Sequence, residues 1–172
     1  VGRLLASAEP HAAVHLRWLP LRGCSEDRAI VLGEDWWAAQ LQDGLNPVGL
    51  NLVERCRAAG HHVLLVSDHP DLAVAPLRDH VGADELVCNR LDVVDRRLTG
   101  RLLGPVVNGR VDGGWLRAHA RRHGLDPSSI LAYGGQGEDA TLLSGATHPC
   151  AVTPAPSLLR LATELGWPVV HA

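Results

Sequence analysis

From residue 46 onward the chain alternates between helix-periodic segments and short apolar runs, and this alternation most constrains the fold. NPVGLNLVERCRAAG (46–60) places Leu50, Val53 and Cys56 at helical spacing, with Pro47 suited to a first turn and Gly60 to a stop. HHVLLV (61–66) is short and uniformly apolar after its histidines, as a buried parallel strand is, and is expected to end at Ser67. DLAVAPLRDHVG (71–82) reads as a helix after Pro70 and DELVC (84–88) as a strand. Residues 89–103 alternate on either side of the charged DRR (95–97), which predicts a hairpin. A helix follows over 112–123, with Asp112 as N-cap and Gly124 as stop. ILAYGG (130–135) enters a glycine-rich turn as a strand, CAVT (150–153) is a strand, SLLRLATELG (157–166) a helix and WPVV (167–170) the last strand. Connected βα units of this kind imply an α/β fold, a mainly parallel sheet covered on both faces as a three-layer α/β/α sandwich.

Residues 1–44 carry a weaker pattern. AAVHLRWL (12–19) reads as a strand and EDWWAAQLQ (34–42) as a short helix. On a helix the adjacent Trp36 and Trp37 point about 100° apart, so both do not easily face one core, and one is a candidate interface residue. The length of 172 residues fits one domain, 1–172. A net charge of −3 gives no electrostatic reason to expect nucleic acid or an anionic membrane as partner. No apolar run approaches the ~20 residues of a bilayer span, and no charged-then-apolar leader opens the sequence, so a cytoplasmic protein is expected.

All 16 basic residues are arginine, so chemistry that requires a lysine ammonium is closed to this chain acting alone. The four cysteines form no C-x-x-C pair and read as reduced thiols. His119 and His123 lie four apart on a predicted helix, but no H-E-x-x-H motif accompanies them, and no metal is assigned there.

HVLLVSDHPDLAVAPL (62–77), the LTGRL and GPVV segments within 89–120, and AYGG…ED with the closing LGWPVV within 130–170 together resemble the haloacid dehalogenase (HAD) superfamily, in its phosphoserine-phosphatase-like branch. The resemblance implies a Rossmann-like HAD fold with a β-hairpin insertion and, since about 26 residues (20–45) are available for it, a much reduced helical cap. It also implies Mg²⁺-dependent phosphoryl transfer through an aspartate nucleophile, at sites following strands.

The positions the resemblance assigns to that chemistry hold other residues. Setting AAVHLRWLPL against the family's D-x-D strand puts His15 at the nucleophile and Arg17 at the acid/base, and residues 10–23 contain no Asp or Glu. Ser67 matches the phosphate-binding hydroxyl. Asp112 stands where the family has its lysine, with Arg110 nearby as a substitute cation. In AYGGQGED (132–139), Gly135 replaces the first, Mg²⁺-ligating carboxylate and Asp139 keeps the second. The expectation is therefore no catalytic residue, no metal and no cofactor, since Mg²⁺ has lost its ligands. Three readings follow. The first is a catalytically inactive pseudophosphatase acting through a protein partner or as a homo-oligomer. The second is a binder of a phosphate-bearing small molecule or other anion, through Ser67, Arg17 and Arg110. The third is a phosphomonoesterase with altered catalytic residues.

Overall fold

The computed structural model describes residues 16–41, 44–104, 106–107 and 111–171. They divide into two compact units, one built from the chain up to Asn46 and from Leu52–Asn108, the other from Pro47–Asn51 and from Gly109 onward. The helix α2 (Pro47–Ala58) runs through the first change of unit, and Gly60 follows it at φ 76°, as expected of a stop.

The first unit holds α1 (Glu26–Trp36), β1 (Leu64–Pro70), α3 (Asp71–Val81), β2 (Glu85–Asn89), β3 (Leu91–Val94) and β4 (Arg97–Leu102). Strands β1 and β2 pair in parallel, with Leu64, Leu65 and Val66 opposite Glu85, Leu86 and Val87. The register then breaks and resumes at Pro70 opposite Asn89. β1 thus begins later than HHVLLV and continues past Ser67. The Val63 N–H bonds the Asp84 carboxylate (2.7 Å) rather than a strand neighbour, which delays the ladder. Beyond the break, buried Asn89 donates from Nδ2 to the Asp68 carbonyl (2.5 Å) and accepts the Val107 N–H at Oδ1 (2.8 Å), satisfying backbone groups the irregular strand leaves over.

The strand expected over 12–19 is not formed in its described part. Arg17 and Trp18 lie in a turn and Leu19–Leu21 form a 3₁₀ turn. Pro20 has no N–H to give a ladder, and the Trp18 and Leu19 carbonyls accept the Leu21 and Arg22 N–H groups (3.0 Å each) instead of strand partners. Residues 12–15, His15 among them, lie outside the described residues. The helix expected at 34–42 begins earlier, at Glu26. Ser25 caps it by accepting the Arg28 N–H (3.3 Å), Glu26 and Asp27 sit favourably in the first turn, and the chain continues in a wider π turn, Trp37–Leu41.

Helices α1 and α3 approach closely. Pro76 inside α3 lacks the N–H that would reach the Leu72 carbonyl one turn back, and Gly33 of α1 lies against that carbonyl, where a Cβ would collide with it. The hairpin β3–β4 closes through Asp95 and Arg96 at φ 50° and 58°, the conformation of a two-residue primed turn. The segment 23–26 covers the other edge of β4, with Gly23 N–H on the Leu98 carbonyl (2.8 Å) and Leu98 N–H on the Cys24 carbonyl (2.9 Å). Ala29, Leu91, Leu98, Leu102 and Val106 form this unit's core, with Trp18, Leu21, Cys24 and Leu72 against it.

The second unit holds α4 (Gly113–Arg122), β5 (Leu131–Gly134), α5 (Ala140–Gly145), β6 (His148–Val152), α6 (Pro156–Leu165) and β7 (Val169–Val170). The three strands are parallel in the order β5-β6-β7. Leu143, Ala151, Leu158 and Ala162 are fully buried between them and the helices. Each buried leucine contributes about 1.5–3 kcal/mol. Gly124 and Gly166 take the left-handed conformation just past α4 and α6, where the sequence places the stops.

Candidate functional site

In the first unit the segment after Val66 brings Ser67, Asp68 and His69 together with Arg17, Trp18 and Trp36. The Ser67 hydroxyl accepts the His69 N–H (3.2 Å), a local turn bond. Asp68 faces two side chains, Arg17 Nη1 at 3.3 Å from Oδ2 and His69 Nδ1 at 3.0 Å from Oδ1. The His69 ring stacks on Trp36 (centroids 5.5 Å, 21° between planes) and meets Trp18 edge-on (6.4 Å, 72°). Trp37 meets His80 edge-on (5.5 Å). Both adjacent tryptophans are therefore half-buried against histidines, and the expectation that one stands free for an interface is corrected.

Arg17 lies in a turn, and the residues before Leu16 lie outside the described ones. Arg17 reaches the Ser67 segment through Asp68, which sequence reasoning passed over although it stands next to Ser67 in LLVSDHP. With the two side chains 58% and 47% exposed, the pair contributes little stability, about 0–1 kcal/mol, but it gives the Arg17 guanidinium a carboxylate partner.

In the second unit Asp112 is the N-cap of α4: its Oδ1 accepts the Trp115 N–H at 2.8 Å. The turn after β5 is built around Asp139, whose Oδ2 accepts the N–H groups of Gly135 and Gln136, both at 2.8 Å. Gly134 makes room for this carboxylate, since a Cβ there would lie 2.6 Å from that of Asp139. Gly135 is also confined: its carbonyl accepts the Ala155 N–H (2.8 Å), and a Cβ on it would come within 3.0 Å of the Val152 carbonyl oxygen. An open concavity of about 510 Å³ flanks the α4 start, lined by Asp112, Gly113, Arg117, Thr141 and Ser144. Arg110 lies outside the described residues.

This turn does not fit Mg²⁺. The ion takes hard oxygen ligands at near-octahedral geometry and is normally held by one or two carboxylates. Gly135 offers no side chain, a Cβ on it would meet the Val152 carbonyl oxygen at 3.0 Å, and one oxygen of Asp139 is committed to two backbone donors.

Residues 3–149 match the family of haloacid dehalogenase-like hydrolases. The chain belongs to that family. Its relatives place it in the phosphoserine-phosphatase-like branch. It is 31% identical over 140 residues to an inhibition of morphological differentiation protein from Streptomyces azureus, covering 77% of this chain and 50% of that protein. It is 27% identical over 149 residues to a phosphoserine phosphatase from Mycobacterium tuberculosis, covering 87% and 48%. This HAD-family chain thus spans about half the length of the curated relatives it matches. Its fold superposes with a TM-score of 0.80 on the crystal structure of a protein of unknown function from Bordetella pertussis, at 22% identity, covering 98% of this chain and 78% of the other. The mixed α/β architecture with parallel strands and a hairpin insertion is accordingly that of a Rossmann-like HAD protein. Among the described residues no helix is long and apolar enough to cross a membrane.

Proposed function

We propose that this phosphatase-like HAD-family chain does not hydrolyse phosphomonoesters by the Mg²⁺–aspartyl-phosphate route and acts by binding a protein. One observation carries the reading. Asp112 stands where the family resemblance requires a lysine, and its carboxylate caps α4, so an anion with a structural role replaces the cation that would neutralise the phosphate. The absence of lysine from the whole chain and the lack of a carboxylate at Gly135 point the same way. Exposed apolar side chains on α1 support a protein contact: Ile30, Val31 and Leu32, spread around the helix, are 47%, 44% and 37% exposed.

A phosphatase reading is favoured by a different observation. The nucleophile loop, His15 included, lies outside the described residues, so the structure does not test the alignment that put Arg17 in the acid/base position. The likeness to phosphoserine phosphatases supports this alternative. An anion-binding role for Ser67 and Arg17 is weakened by the partners both already have.

Turnover of phosphoserine and p-nitrophenyl phosphate with Mg²⁺, together with light scattering at micromolar concentration, separates these readings. The proposal expects no turnover, and a dimer or a specific protein complex lost in Ile30→Asp. Mg²⁺-dependent turnover would sink it in favour of the phosphatase.

A further inference from the structure

The outer face of the hairpin carries a cationic groove that HAD chemistry does not use. Arg97, Thr99 and Arg101 alternate along β4 and face outward, while Leu98 and Leu102 turn into the core at 3% and 5% exposure. The turn Leu19–Leu21 and the Arg22–Gly23 peptide lie across the hairpin. Gly100, at φ 78°, permits this approach, since a Cβ there would come 3.1 Å from the Arg22 Cβ and 3.2 Å from the Leu19 Cα. Between these walls is a concavity of about 410 Å³, lined by Leu19, Arg22, Asp92, Val94, Arg97 and Arg101 among others.

Three guanidinium groups and one carboxylate thus share a single groove in a chain whose net charge is −3. Arg97 is oriented by donating from Nη1 to the Gly23 carbonyl (2.8 Å). Asp92 accepts the Thr99 hydroxyl at 2.9 Å. The side chains of Arg22 and Arg101 have no hydrogen bond or ion pair among the described residues. Two unpartnered guanidinium groups beside an anchored third repel one another until an anion joins them. The planar fork of arginine suits the oxygens of phosphate. Leu19 and Val94, 41% and 56% exposed, give the groove an apolar flank.

We infer that this groove binds a phosphate monoester, with Arg22 and Arg101 on the phosphate and Leu19 and Val94 against the body of the ligand. The site is independent of whether the chain hydrolyses phosphomonoesters, because it shares no residue with the turns around Ser67 and Asp139.

The test is an amide NMR titration of the full chain at low salt with phenyl phosphate and with inorganic phosphate. Saturable shifts are expected at the amides of 19–23 and 92–101, with phenyl phosphate binding at least threefold more tightly than inorganic phosphate. Arg101→Gln and Arg22→Gln should each weaken binding at least tenfold, and Arg121→Gln, on the exposed side of α4, should leave it unchanged. An unchanged affinity in both groove variants overturns the site, as does an equal loss in Arg121→Gln. Shifts confined to residues 67–70, or to residues 135–139, would instead assign the anion to one of those turns and overturn the groove. The spectrum of each variant reports its folding, and Arg101→Lys, which keeps charge and stem, should retain partial affinity.

Discussion

The Asp112 carboxylate accepts the backbone N–H of Trp115 at 2.8 Å, so the residue we propose at the family's lysine position is the cap of its helix. Capping and phosphate neutralisation are incompatible demands on one side chain. Asp112→Ala should cost about 1 kcal/mol, while Asp112→Asn, which also caps, should cost less. Asp112→Lys should lose the cap and also place a cation at the positive end of the helix, at a further ~0.3–1 kcal/mol. Urea denaturation of the three variants gives the order. Phosphatase activity appearing in Asp112→Lys alone would mean that the rest of the catalytic apparatus is intact.

Gly135→Asp tests the proposal that Gly135 stands where the family has a carboxylate. The added Cβ would come within 3.0 Å of the Val152 carbonyl, on the strand beside it. A destabilisation of about 1–3 kcal/mol is expected, as for other overpacked sites. Calorimetry should find no Mg²⁺ binding in this variant. Micromolar Mg²⁺ affinity at undiminished stability would show that the turn can reopen.

Gly33→Ala tests the contact of α1 with α3. A helix interior normally gains about 1 kcal/mol from this exchange. Here the added methyl meets the Leu72 carbonyl, which Pro76 leaves without its helical donor. The sign should reverse, with a net loss of about 1–3 kcal/mol. A melting temperature at or above wild type would show that the helices do not pack this closely.

His69→Ala should remove the stack on Trp36 and the edge contact with Trp18, lowering stability by about 0.5–1.5 kcal/mol and changing tryptophan emission. His69→Phe, which keeps an aromatic face but no contact with Asp68, should recover part of the loss. Equal losses in both variants would assign the effect to the ion pair rather than to the rings.

The helices and strands after residue 46 were legible because each has a local signature: Pro47 at a first turn, Asp112 at a cap, and Gly60, Gly82, Gly124 and Gly166 at stops, all left-handed in the structure. Of the strand expected over 12–19, the described part 16–19 misled because Leu16, Trp18 and Leu19 give it strand-like hydropathy. What decides residues 16–21 is a single missing N–H at Pro20 and tertiary contacts with the distant hairpin, neither of which periodicity records. Asp68 escaped notice for a related reason. Its partner Arg17 becomes a neighbour only once the chain folds 51 residues back on itself. The roles of Asp112 as cap and of the glycine-rich turn could be read because both are local.

Burial pushes the Cys88 thiol up to about 11, with the Asp71 carboxylate adding to the effect and Arg90 opposing it. The thiolate is the reactive form. At pH 8.5 the folded chain should therefore hold roughly one Cys88 in three hundred as thiolate, and alkylation by iodoacetamide should be on the order of a hundredfold slower than in urea. The same shift has a consequence for stability. The folded state keeps the proton where the unfolded chain, with its thiol near 9.0, gives it up. The contribution is fully present below pH 9 and is lost as pH rises toward 11. Wild type should thus lose more stability between pH 8 and pH 10.5 than Cys88→Ser does. Peptide-level mass spectrometry gives the alkylation rate, and urea midpoints at the two pH values give the stability difference. Rapid labelling of Cys88 in the folded chain, or parallel losses in both proteins, would mean that this thiol is not held in its protonated form.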